Sequence, residues 1–247
     1  MKKDFKKFLK GLARAPYHKL GLGIKLNEPL ISDLAQYFSL NRKEVIFYLK
    51  NSKKLNADLW NISSPKTEQE IEQFYAFTPY YVFALAYWHM KKYQRNLRQN
   101  ILNYAYGDIL DYGAGMGDLC LDLSKEPLFS SITYADVGGK TFNFAKWLLG
   151  KNDASIKVIN LDKEKIQGPY DTIICIDVIE HILNPENLIK NLNNNLKSGG
   201  RLIITNLEIK EVSKQDPMHF GLKFDAKEYL QSLGLINKDF SWLWIKN

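Results

Sequence analysis

The chain reads as an α/β protein built on a doubly wound, mostly parallel sheet, with an all-helical extension in front of it. Three observations predict this. From Gly107 onward, short apolar runs alternate with amphipathic stretches. Before residue 104 the periodicity is helical throughout, with no convincing strand. Acidic residues recur at the ends of successive predicted strands, the edge where open α/β sheets bind ligands. We divide the chain at this change of pattern, with residues 1–104 as a helical cap and 105–247 as the sheet domain.

The elements follow in order. "PLISDLAQYFSL" and "RKEVIFYLKNS" predict two short helices separated by Asn41. "NISSPKTEQEIEQFYAF" opens a third, with Pro65 and Glu68 near its start, and "PYYVFALAYWHMKKYQRNLRQNILNYA" predicts one longer helix begun by Pro79. "DILDYG" is a strand running into a glycine loop, "LCLDLSKEP" a helix, "SITYADV" a second strand and "KTFNFAKWLLG" a helix closed by glycine. "SIKVINLD" and "YDTIICIDV" are the third and fourth strands. "NPENLIKNLNNNL" is a helix with Asn184 as its cap and Pro185 at its first position. "KSGGRLIITNL" brings the fifth strand, "DAKEYLQSLGL" a helix capped by Asp225, and "INKDFSWLWIKN" the last strand material.

The charge is unevenly placed. Met1 to Leu26 holds eight Lys or Arg and one Asp, while the other 221 residues carry 26 of each sign. The pI near 9.1 therefore belongs to the N-terminal segment, not to the sheet domain. In that segment Phe5, Phe8, Leu9 and Leu12 fall at helical spacing, so a surface helix docked by its apolar stripe is expected. Contact of its lysine face with RNA or an anionic membrane surface is the sharper reading. No apolar run reaches the roughly 20 residues of a membrane span. Cys120 and Cys175 each lie beside a predicted strand and read as buried thiols of a cytoplasmic protein.

"ILDYGAGMGD" places glycines at 113, 115 and 117 between a strand and a helix. The G-x-G-x-G spacing fits the dinucleotide fingerprint badly, and no Gly-Lys-Ser/Thr ending follows. The acids carry more information. Asp111 begins the loop, Asp136 ends the second strand, Asp162 the third and Asp177 the fourth. Such a crevice repels a pyrophosphate and suits a cationic ligand with an amino group, a ribose and an exocyclic amine.

Here the sequence resembles the class I S-adenosylmethionine-dependent methyltransferases, over roughly Gly107 to Asn247. "DYGAGMG", "YADVGGKTFNFAK", "VINLD", "YDTIICIDVIEHI" and "LKSGGRLIITN" match that family's motifs in order. The resemblance implies a Rossmann-like seven-stranded sheet and S-adenosylmethionine as cofactor. It implies that Gly113, Ala114, Gly115 and Gly117 form the loop along its methionine part and that Asp111 helps fix that part. Asp136 would take the ribose hydroxyls, Val137 pack on the adenine, Asp162 accept from the adenine amine, and the backbone near Ile176 and Asp177 meet the amino group.

The acceptor end is expected at "IDVIEH". Asp177, Glu180 and His181 are spaced i, i+3, i+4 and on a helical turn would share a face. His219, after the fifth strand, falls near the same mouth. With oxygen and nitrogen donors, Asp177, Glu180, His181 and His219 are a candidate divalent-metal set. Without metal, His181, His219 and Glu180 are the candidate catalytic groups. Acid-x-x-Glu-His resembles two metal-using groups of the family, the ubiquinone-biosynthesis O-methyltransferases and the small-RNA 3′-terminal 2′-O-methyltransferases. It also occurs in members without an established metal.

Phe74 to Tyr93 holds nine aromatics in twenty residues. Most read as helix core; Tyr75, Tyr80, Tyr81 and Trp88 carry polar tips and are candidate lid and acceptor contacts. His18 and His89 read as structural. The neutral sheet domain and aromatic lid favour a small-molecule acceptor, of natural-product, quinone-like or related kind. An RNA 2′-O-methyltransferase is the first alternative, and a non-catalytic cofactor-binding partner subunit the second. A nucleic-acid enzyme would show a basic catalytic face, and the neutral remainder argues against one.

Overall fold

A computed structural model describes residues 24–152, 154–209 and 217–247. The expected N-terminal amphipathic helix and His18 lie outside the described residues.

Seven strands form one sheet in the order β3-β2-β1-β4-β5-β7-β6. They are β1 (Gly107–Tyr112), β2 (Phe129–Asp136), β3 (Lys157–Asn160), β4 (Tyr170–Cys175), β5 (Leu196–Ile204), β6 (Leu235–Asn237) and β7 (Leu243–Lys246). The first five pair in parallel, and β7 runs antiparallel to both β5 and β6. The strand order reverses direction between β1 and β4, so the crevice beyond their C-terminal ends is the switch point where such sheets take ligands. Register brings the ends level there, with Tyr112 opposite Ala135, Asp136 opposite Asn160, and Cys175 opposite Ile204.

Helices cover both faces, as parallel strands buried on two sides require. The helices before the sheet are α1 (Glu28–Phe38), α2 (Arg42–Ser63), α3 (Glu68–Phe77), α4 (Tyr81–His89) and α5 (Lys92–Tyr104). Those within it are α6 (Asp118–Ser124), α7 (Lys140–Lys151), α8 (Pro185–Asn194) and α9 (Ala226–Ser232). On one face Leu110, Ile173 and Cys175 pack with Leu188, Ile189 and Leu192 of α8 and Leu230 of α9. On the other, Ile109, Ile174 and Ile203 pack with Leu97 and Ile101 of α5, Leu123 of α6 and Leu149 of α7. Each such aliphatic side chain, fully buried, contributes about 1.5–3 kcal/mol. Cys120 and Cys175 are buried free thiols. Among the described residues no helix is long and apolar enough to cross a membrane.

The cap departs from the sequence reading in three places. First, α2 does not stop near Ser52 but runs 22 residues to Ser63. A capping box between Asn41 and Glu44 starts it, nothing inside it breaks a helix, and Ser64 in the left-handed region, followed by Pro65, ends it. Second, α3 begins later than expected, at Glu68, with a capping box between Thr67 and Glu70. Third, the expected long helix from Pro79 is two helices, α4 and α5. Lys91 is extended between them, and its strand-like backbone pairs with Ile24 while Lys25 N–H donates to the Met90 carbonyl at 3.2 Å. A strand-like contact from elsewhere in the chain interrupts this helix, which local periodicity does not reveal.

The cap is anchored to the sheet domain through α7. Phe144 and Leu148 share an apolar cluster with Leu34 of α1, Leu49 of α2 and Val82 and Phe83 of α4. Helix α3 joins it through Trp60, Ile71, Phe74 and Met218.

Candidate active site

The site begins where β1 ends. Asp111 is 4 % exposed, and the chain then turns sharply so that Gly113 and Ala114 N–H both donate to the Ala135 carbonyl of β2. At Gly113, φ is +67°, and a Cβ there would lie 2.4 Å from a Val178 methyl. Only glycine fits this turn. Gly117 follows as the residue before α6; it does not line the cavity described below, whereas Gly113, Ala114 and Gly115 do.

Asp136 closes the loop from the second strand. One carboxylate oxygen accepts from Gly115 N–H at 2.6 Å, the other from Val137 N–H at 2.7 Å. Burial nevertheless raises its pKa to about 7, and burial does the same to Asp111. Both carboxylates face the ligand space, so hydrogen-bond donors or positive charge arriving there are strongly favoured. Asp162 accepts from Gly138 N–H at 2.8 Å. That loop is held from above, because a Cβ on Gly139 (φ +126°) would meet the Ala76 carbonyl oxygen of α3 at 2.3 Å.

Asp177 differs from the sequence expectation. It has φ +55°, and the chain then makes a 3₁₀ turn over Ile179–His181, so Asp177, Glu180 and His181 do not share one helical face. Its carboxylate is fully engaged. One oxygen accepts from Trp88 Nε1 at 2.7 Å and Gln94 Nε2 at 2.8 Å, the other from Asn206 Nδ2 at 2.9 Å and Thr205 Oγ1 at 3.2 Å. Asp177 therefore ties α4 and α5 to the sheet edge. Among the described residues, the group of side chains spaced to hold a metal ion is Glu180, His181 and His219, whose ligand atoms lie within 4.8 Å of one another, without Asp177.

Glu180 is buried. Asn206 donates to its Oε1, while Oε2 has no hydrogen-bond partner. Burial, assisted by the charge of Asp177, raises its pKa to about 8. His181 Nδ1 lies 3.1 Å from the Met218 carbonyl and 2.7 Å from the Tyr75 hydroxyl. A carbonyl only accepts, so this contact selects the tautomer with its proton on Nδ1 and makes Nε2 the basic nitrogen. The His219 ring stands against that of His181, 4.8 Å between centroids. Burial pushes the Tyr75 hydroxyl well up, so Tyr75 acts as a neutral hydrogen-bonding group.

One cavity of about 590 Å³ joins these parts. Asp111, Asp136, Val137, Asp162, Asp177 and His181 line it, as do Tyr75, Tyr81 and Trp88 from the cap. Tyr80 lies elsewhere, its ring stacked on Tyr48. Glu180 and His219 sit behind His181 and are not among the lining residues.

The structure adds residues that the sequence did not mark. Arg98 forks onto Asp118, with a 2.9 Å contact to one oxygen, and His89 Nδ1 lies 3.1 Å from the same carboxylate. Burial opposes ionisation of Asp118, but Arg98 and His89 hold its carboxyl well below the usual carboxylate range. Gln94, Thr205 and Asn206 surround Asp177. Polar residues directly after the fifth strand were a usable signal for the last two; nothing local distinguished Gln94 or Arg98 from a solvated helix face.

Known proteins resemble this chain in sequence and in fold. A family model described as a methyltransferase domain matches residues 86–233. The polyketide synthase-nonribosomal peptide synthetase pyiS of Pyricularia grisea is 28% identical over 159 residues, 60% of this chain and 4% of that protein. The ubiquinone biosynthesis O-methyltransferase of Rickettsia typhi is 31% identical over 101 residues, 40% of each chain. The chain thus spans less than half the length of these curated relatives. The crystal structure of the YcgJ protein from Bacillus subtilis superposes with a TM-score of 0.50 at 15% identity, covering 60% of this chain and 71% of that one, a likeness of fold.

Proposed function

The chain belongs to the S-adenosylmethionine-dependent methyltransferase family, and on that premise we propose that it methylates a small-molecule acceptor seated between the cofactor loop and His181. The observation that carries this reading is the single cavity shared by Asp111, Asp136 and Asp162 at one end and Tyr75 and His181 at the other.

The residues present fit the cofactor. Half-buried Asp136, its acidity weakened by partial loss of water, gains most from two hydroxyl donors, and the side-chain-free turn at Gly113 leaves backbone open to close approach. The bound cofactor supplies an electrophilic methyl group on a sulfonium. Asp136 orients the ribose part, Asp162 the adenine part, and Asp111 favours the positive end. Trp88, Tyr81 and Tyr75 close the cavity from the cap and exclude water. On the acceptor side His181 Nε2 takes the proton that an acceptor hydroxyl must lose, and the Met218 carbonyl and Tyr75 hydroxyl hold the ring for it.

A second reading rests on the spacing of Glu180, His181 and His219, whose ligand atoms lie within 4.8 Å of one another. A divalent ion held by these three would supply Lewis acidity beside His181. Asp177 takes no part in it, because both its oxygens are engaged.

Calorimetric titration with S-adenosylhomocysteine, with elemental analysis of metal-stripped and metal-loaded samples, tests both. Micromolar binding without metal supports the histidine reading. Stoichiometric metal, lost in Glu180→Ala, supports the second. No binding in either sample overturns the proposal.

A further inference from the structure

Among the described residues, Asn206 is the side chain that touches both acids of the acceptor end. It lies just past β5, with φ +63° although it is not glycine. Its Nδ2 donates to Asp177 Oδ1 at 2.9 Å and to Glu180 Oε1. Each neighbour presents a carboxyl oxygen to Nδ2, so the amide turns its NH2 toward both. Asp177 faces it with φ +55°. Two residues in sparsely populated backbone conformations persist where surrounding bonds over-determine them, and such pairs gather at functional sites.

The consequence lies in Glu180. Asn206 holds Oε1, which lies 4.0 Å from His181 Nε2, and Oε2 is the oxygen left without a partner. Without that restraint, Glu180 would be free to rotate and satisfy itself elsewhere. We propose that Asn206 is a positioning residue: it bridges the Asp177 tie of the cap to Glu180 and holds the Glu180 carboxylate against His181. The inference deepens the reading of Glu180 and His181 as the acceptor end and rests on it.

A merely structural Asn206 would be needed only for its backbone angle. Glycine supplies that angle at no cost, so Asn206→Gly separates the two roles. Two measurements decide, neither requiring a known acceptor. In the ¹⁵N-labelled full chain without ligand, the Asn206 side-chain amide is expected to show two separated resonances, exchanging with solvent at least about tenfold more slowly than an exposed amide. In Asn206→Gly, a crystal structure is expected to show the Glu180 carboxylate rotated away from His181. Asn206 resonances exchanging at the exposed rate, or a Glu180 carboxylate unmoved in Asn206→Gly, overturn the proposal. Failure of S-adenosylhomocysteine to bind the native protein would count against the methyltransferase reading instead, and the amide resonances would still decide the bridge.

Discussion

Single residues divide the site into a part that holds and a part that reacts. Asp136 is a holding residue, with both oxygens already on backbone N–H groups of the loops it joins. Asp136→Ala removes an acceptor worth about 1.5–3 kcal/mol per hydrogen bond, so affinity for S-adenosylhomocysteine should fall by at least about 10- to 100-fold by calorimetry. Unchanged affinity would undo the ribose assignment. In the proposed reading, His181 is the residue that reacts. In His181→Ala, methyl transfer should drop by about 10²- to 10⁴-fold, while affinity for S-adenosylhomocysteine stays close to that of the native protein. A variant that still transfers at the native rate would remove the base. The sequence brought Asp136 and His181 to the cavity because one ends an apolar strand and the other lies in the turn that follows one. It misplaced Asp177, since the i, i+3, i+4 spacing presumed a regular helical turn. The left-handed residue at 177 breaks that turn, and positive φ at an Asp has no sequence mark.

At the scale of elements, the sheet was far more readable than the cap. Its strands are apolar runs bounded by glycine, proline and polar residues, and each takes its conformation from its own pattern. The cap helices are bounded by contacts made elsewhere. Lys91 leaves the helix because Ile24 pairs with it, and no window around Lys91 contains Ile24. The same distance in sequence hides how closely α3 rides on the cofactor loop. Gly139 reads as an ordinary loop glycine, yet the backbone of Ala76 occupies the place of its Cβ. Gly139→Ala must therefore lift α3 or distort the loop below it, a cost of about 1–3 kcal/mol for overpacking. Thermal unfolding should begin at a lower temperature in this variant, and S-adenosylhomocysteine should bind more weakly, because Tyr75 on α3 lines the same cavity. A variant with native melting and native affinity would show that α3 is not seated on the loop.

For the molecule as a whole, two acids of the cavity, Asp111 and Asp136, couple ligand binding to pH and stability. Asp111 and Asp136 have pKa values near 7 in the folded chain against an ordinary 3.8, with burial as the leading cause in both. Between those values the folded state holds protons that the unfolded state has released. The stabilisation linked to them is complete below about pH 4 and is lost as pH rises through 7. Each acid loses at most about 1.4 kcal/mol of it for every pH step of one across that window. The ligand reverses this preference. Hydroxyl donors and positive charge favour the ionised carboxylates, so binding should expel protons near neutrality. Calorimetry at pH 6.5 in two buffers of different ionisation heat should therefore report release of about one proton per S-adenosylhomocysteine bound. Affinity should rise from pH 6 to pH 8, and the thermal stabilisation given by the ligand should grow over the same range. Asp136→Asn should remove about half of the proton release, leaving the part due to Asp111. Heats identical in the two buffers would mean that neither acid changes protonation on binding, and that the carboxylates are not what recognises the ligand.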